Sequence, residues 1–206
     1  MEVCDVCNQR DTRIRLTSEQ DVKKFCVTCY NHMMELELGV NLDAMVQSFT
    51  VEDYEGNKRT FNVHRRLDPL GIFLKAHENT IHGYQFAVHG ELNCDQKELF
   101  NLLMDKVIQR VHSPSLKLHR FPNGHQQEVI ATDQVIGRVE YDEMSNGNTP
   151  LIILDGKPYT LEQLGQMVTS FEGFQMKIKW LDMTGAGWGS DPNIRIPNDN
   201  KVNMQD

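Results

Sequence analysis

No stretch of this chain approaches the roughly 18 consecutive apolar residues that a membrane-crossing helix requires, so no membrane association is expected. The opening residues MEVCDVC lack a basic segment followed by an apolar run, which argues against a secretory leader. There is no G-x-x-x-x-G-K-[ST] phosphate loop, no G-x-S-x-G nucleophile elbow and no G-x-G-x-x-G dinucleotide fingerprint, so the best-marked nucleotide and hydrolase chemistries are not indicated. Positive charge is also short. Lys and Arg number 21 against 29 Asp and Glu, a net charge of −8 that disfavours binding nucleic acid through the whole surface. Hydrophobic residues make up 39%, a low share to which the polar end of the chain contributes.

Cysteine is scarce too, but four of the five are in register. Cys4 and Cys7 form one C-x-x-C, Cys26 and Cys29 another, with 18 residues between the pairs. Each pair can offer two thiolates to one ion, and four soft thiolates complete a closed tetrahedral shell with no position left for water. That spacing predicts a structural Zn2+ held by Cys4, Cys7, Cys26 and Cys29. Two disulfides or a redox C-x-x-C fit less well, because the pairs are matched and neither sits in a strand–helix context of thioredoxin type. Metal-spaced thiols and the odd Cys94 point to a reducing, cytoplasmic setting.

Residues 1–40 read as one unit. Ile14 and Leu16 alternate with Arg13, Arg15 and Thr17 as in a short strand; Ser18 to Asp21 turn the chain, and Val22 to Phe25 return it to Cys26. Val27 to Leu38 is helical, with Gly39 as its stop. The order is knuckle, hairpin, then a helix opening on the second cysteine pair. It resembles a treble-clef zinc module, with the N-terminal zinc domain of Clp-type unfoldase ATPases as the nearest named case. The resemblance implies zinc ligation by the four cysteines and a role in protein capture or dimerisation. The missing phosphate loop means that it implies no ATPase.

A second domain is expected over residues 46–182, α+β, with a mostly antiparallel sheet and two main helices. Alternation marks strands near Phe49–Tyr54, Arg59–Leu67, Ile72–Ala76, Tyr84–Val88, Leu116–Leu118, Val135–Tyr141, Leu151–Leu154 and Phe174–Trp180, with turns at Gly56-Asn57, Asn146-Gly147 and Asp155-Gly156. Asp95 opens a helix whose apolar stripe includes Leu99, Leu103, Val107 and Val111. Thr160 with Gln163 forms a capping box for a second helix, with Leu164, Met167 and Phe171 on its apolar side. The run Leu154-Asp155-Gly156-Lys157-x2-Thr160, continuing to Phe171-Glu172-Gly173-Phe174-Gln175, resembles the C-terminal part of bacterial zinc-module proteins of unknown function, a likeness that brings no activity with it. Residues 183–206, rich in Gly, Asn and Asp, read as a disordered tail.

Other chemistry is weakly marked. His77 and His82 are five apart, where H-E-x-x-H needs four to share a helix face. Cys94 sits where a helix dipole could activate a thiol, but nothing local supplies a base. Two hairpins carry Arg10, Arg13, Arg15, Lys23 and Lys24, and Lys58, Arg59, His64, Arg65 and Arg66, which could contact phosphates. Yet residues 1–40 hold 5 basic and 7 acidic side chains, so a solvated strand face is the better reading. Ile14, Leu16, Tyr30, Met33, Met34, Leu36 and Leu38 are more apolar surface than so small a unit can bury alone. The expectation is therefore a non-catalytic, zinc-stabilised protein-interaction or adaptor protein, self-association into a homodimer included. The alternative is a nucleic-acid-binding regulator using the basic hairpins; an enzyme of unfamiliar type ranks third.

Overall fold

In a computed structural model, residues 2–18, 21–145 and 149–185 are described, together with the backbone of residues 203–205. The fold is α+β and its sheets are antiparallel. The first hairpin, β1 (Ile14–Thr17) and β2 (Val22–Phe25), leads into α1 (Val27–Leu38), the expected knuckle, hairpin and helix order. Gly39 ends α1 at φ 65°, a left-handed conformation in which a Cβ would be strained.

The largest sheet is built from β3 (Ser48–Glu52), β4 (Lys58–Asp68), β5 (Gly71–Glu78) and β6 (Gln85–Gly90) in sequential order. Phe61, Val63 and Leu67 of β4, Ile72, Leu74 and Ala76 of β5, and Phe86 and Val88 of β6 turn inward. They meet α2 (Gln96–His112) through Leu99, Leu103, Val107 and Val111 in one cluster. Asp95 caps α2, accepting from the N–H groups of Lys97 and Glu98 at 2.8 and 3.1 Å. At the β3–β4 turn, buried Asp53 accepts from the Glu55 and Asn57 N–H groups at 2.9 Å and from Arg59 Nε at 2.9 Å.

Phe25, Tyr30 and Met34 of the first unit belong to this same cluster. Each buried side chain of that size is worth about 1.5–3 kcal/mol, so the two units share one core rather than meeting at a polar seam. The junction is also hydrogen-bonded. β3 pairs only with residues 58–62 of β4, so the far half of β4 has an open edge. Asn31 closes it, donating to Arg65 O at 3.0 Å and accepting from Leu67 N at 3.0 Å. Tyr30 adds a hydrogen bond to Asp68 at 2.8 Å.

Beyond α2 lie β7 (Leu116–Arg120) with β8 (Gln126–Ile130), and a three-stranded sheet of β9 (Arg138–Glu140), β10 (Leu151–Leu154) and β11 (Lys157–Thr160). α3 (Leu161–Val168) opens with the expected Thr160–Gln163 capping box. This part has its own small cluster of Leu116, Ile130, Leu154, Tyr159 and Met167, so residues 46–182 contain two hydrophobic cores. A buried ion pair ties them together. Arg110, 9% exposed near the end of α2, donates to Asp155 at 3.0 Å, Ser115 Oγ at 2.7 Å and Ile136 O at 2.7 Å, and also to Ser113 O. Asp155 in turn accepts from the Ser115 and Leu116 N–H groups at 3.0 and 2.9 Å.

The strand expected at 174–180 is absent. Phe174, Met176, Ile178 and Trp180 alternate as a half-buried strand would, but they are 60–80% exposed and their backbone joins no sheet among the described residues. Alternation records a tendency to pair; it does not supply a partner strand. The tail from 183 falls mostly outside the described residues, as does the turn at Asn146-Gly147. Within that tail, β12 (Asn203–Gln205) pairs antiparallel with β3, which makes the main sheet five-stranded. No helix among the described residues is long and apolar enough to cross a membrane.

Candidate metal centre

The knuckle that carries the first cysteine pair is set by backbone bonds to the hairpin. Cys4 N donates to Arg10 O, and Asn8 N to Cys4 O with Asn8 at φ 51°. Asp5 N donates to Lys24 O, while Asp5 Oδ2 accepts from Lys24 N at 2.8 Å. These ties hold Cys4 and Cys7 against the end of β2, where Cys26 begins. Cys26 is also the N-cap of α1, its sulfur accepting from Cys29 N at 3.4 Å.

As a result, one sulfur from each of Cys4, Cys7, Cys26 and Cys29 lies within 4.8 Å of every other, and Cys7 and Cys26 are 3.9 Å apart. A tetrahedral zinc thiolate with Zn–S near 2.3 Å needs S···S separations of about 3.8 Å, so the quartet is close to metal-binding size. Cys4 and Cys26 are buried; Cys7 and Cys29 are half-buried. Burial opposes ionisation of Cys4, but backbone N–H groups of Cys26, Cys7 and Val6 outweigh it and bring that thiol down to about 6. Cys29 goes the other way, pushed up to about 12 by burial and by the sulfurs beside it. Four crowded thiols that cannot all ionise alone are relieved by a divalent cation.

The residues that the sequence marks only weakly form no second site among the described residues. His77 stacks on His64 across β4 and β5 with ring centroids 4.8 Å apart, while His82 bonds Glu140 at 2.6 Å. Cys94 stands before the Asp95 cap, and burial, followed by Asp95 and Glu91, pushes its thiol up rather than activating it. Half of the ten hairpin cations are engaged. Arg15 and Lys24 pair with Glu2, Arg59 with Asp53 and Glu78, and Arg66 with Asp68, and Arg65 bonds Gln96. The apolar surplus of the first unit is also absorbed. Tyr30 and Met34 are buried, Ile14, Met33 and Leu38 pack on the main core, and of these seven Leu16 and Leu36 stay exposed, as do Val3, Val6 and Val22.

Sequence reasoning missed Asn31, Arg110 and Asp155 as junction residues. An Asn inside a helix carries no signal for an edge several tens of residues downstream, and a lone Arg in an amphipathic helix reads as solvated. Asp155 was legible only as a turn residue; its φ of 50° fits that, but the carboxylate's partners are set by tertiary packing.

Three family models match consecutive segments, and the description of each is a domain of unknown function: DUF7685 over residues 3–41, DUF7686 over residues 43–112 and DUF7713 over residues 116–185. No curated protein and no solved structure matches the chain. The chain is thus similar, segment by segment, to three domains whose function is unknown, with segment limits at the first unit, the α2 sheet and the part beyond it.

Proposed function

We propose that this chain is a non-catalytic, zinc-stabilised interaction protein of adaptor type, working in the reducing cytoplasm. The observation that carries the reading is the all-sulfur quartet, built into a unit that shares its core with the main sheet. With four protein ligands a zinc ion has no open position for substrate, so its role is to brace the fold. The engagement of His77, His82 and Cys94 in stacking, an ion pair and burial supports a role without chemistry.

For the partner, the strip Phe174, Met176, Ile178 and Trp180 is a better protein-docking element than α1. It is exposed, apolar on alternate residues and next to Lys177 and Lys179, the composition of a segment that pairs with another chain. A second copy is one such chain. The hairpin-based nucleic-acid reading loses support because Arg15, Lys24, Arg59 and Arg66 are engaged with neighbouring carboxylates.

Metal content and affinity capture test this together. Purified protein should hold close to one zinc per chain, lost on Cys26→Ser. Bait protein should retain a protein partner or form a concentration-dependent dimer, and both should fail with Phe174→Asp plus Trp180→Asp. Metal-free, fully folded protein, or a strict monomer that retains nothing, refutes the reading.

A further inference from the structure

The apolar strip at 174–180 alternates like a strand and needs an edge to join; the main sheet offers β6 on one side and β3 on the other. At β6 the hydrogen bond from Glu78 N to Tyr84 O sets the phase of the ladder, so the Ala87 backbone faces away from β5. Its carbonyl is already taken. Lys106 Nζ donates to Ala87 O at 2.9 Å, to Met183 O at 2.6 Å and to Gly185 O at 3.4 Å. One ammonium thus pins the chain just past the strip to the outside of β6.

The β3 edge is only partly covered. Val63 N donates to Gln47 O, so Phe49 and Val51 bond β4 while Ser48, Thr50 and Glu52 turn their backbone groups outward. Among the described residues β12 alone pairs with them, and it reaches only from Ser48 to Thr50. On the inner side Phe49 is buried, with the half-buried Phe100 ring edge-on to it at 6.0 Å. On the outer side Glu52 is exposed. The pairing of β12 shows that an extended, antiparallel segment of this chain fits here.

The strip matches this edge face for face. In an extended chain Phe174, Met176, Ile178 and Trp180 share one side, and Gln175, Lys177 and Lys179 the other. Laid antiparallel with Lys177 opposite Glu52, it sets Ile178 opposite Val51 and Trp180 opposite Phe49, apolar on apolar and cation on anion. Its own β3 is out of reach. With Met183 held outside β6, β3 lies three strand spacings away, about 14 Å. Trp180 is three residues from Met183, which allows at most about 11 Å. We infer, on the reading of the strip as a docking element, that the strip of one copy adds to the β3 edge of a second copy and displaces β12, a competitor built into the chain.

Sedimentation equilibrium on the full-length, metal-loaded protein, up to about 200 µM, tests this and should show a reversible dimer. Asn203→Pro with Gln205→Pro removes the N–H groups that β12 offers to Thr50 and Ser48, and should tighten the dimer about ten-fold. Glu52 lies beyond the residues that β12 pairs, so its variants act on the strip alone. Glu52→Pro takes away an outward N–H and spares the β4 ladder; it should weaken the dimer about ten-fold. Glu52→Lys should weaken it likewise, and Lys177→Glu in the same chain should restore it. Unchanged zinc content and unfolding midpoint show that each variant is folded. A dimer indifferent to both Glu52 variants, or one that the tail prolines weaken, overturns the inference and leaves the adaptor role standing. So does protein that captures a foreign partner through the strip yet stays monomeric throughout. Protein that neither dimerises nor captures a partner overturns both.

Discussion

Replacing Arg110 by methionine removes the cation from the junction and keeps most of its buried stem. Asp155 would keep the Ser115 and Leu116 N–H groups, so its charge is not abandoned, but Ile136 O and Ser113 O each lose a donor. Breaking a buried pair by deleting one partner costs about 3–5 kcal/mol, and the surviving donors place this case near 3 kcal/mol. For a chain of this size that lowers the midpoint of thermal unfolding by about 6–12 °C. Urea unfolding measures the loss. Hydrogen exchange locates it, because protection should fall in β7, β10 and β11 while β4 and β5 keep theirs. In the Arg110→Met background, Asp155→Asn should cost at least about 1 kcal/mol less than it does alone, since paired residues are not additive. A loss below about 1 kcal/mol, or exchange rising evenly through the main sheet, would refute the view that this pair joins two cores.

Asn31→Ala leaves Arg65 O and Leu67 N without their partner and should cost about 2 kcal/mol, with the Leu67 amide exchanging faster; an unchanged Leu67 rate would count against the clip. Cys94→Ser should leave zinc content intact while Cys4→Ser abolishes it, as metal analysis would show. Asp53 has its carboxyl held below the ordinary range: burial opposes ionisation, but Asn57, Arg59 and Glu55 donors prevail. Its contribution is therefore complete above the unfolded value of about 3.9 and is lost as pH falls through the lower folded value. Asp53→Asn should make urea stability less sensitive to acid in that window, and an unchanged acid dependence would contradict the assignment.

Much of the fold could be read because its signals are local. The cysteine spacing, Gly39, Asp95 and the Thr160–Gln163 box all act within a few residues, and the alternation in β4 and β5 reports directly on one buried face. The 174–180 strand failed for the complementary reason, since alternation there lacks a sheet to join. The link between the two cores of residues 46–182 is made by Arg110 and Asp155, 45 positions apart, and no local pattern encodes that pairing. The metal ligands were legible by spacing alone; the His64–His77 stack was not, because it exists only once β4 and β5 are in register.

The Asn31 clip has a consequence for how the protein fails. An unpaired strand edge is a template for another chain, and sheets that stay soluble cover it. Here the near half of β4 is covered by β3, but the far half depends on one carboxamide carried by a helix whose first turn holds two of the four sulfurs. Stripping the metal would loosen that helix and bare the edge at Arg65 and Leu67 while the rest of the sheet stays folded. Chelation should thus appear first as turbidity from edge-to-edge assembly, ahead of any global unfolding.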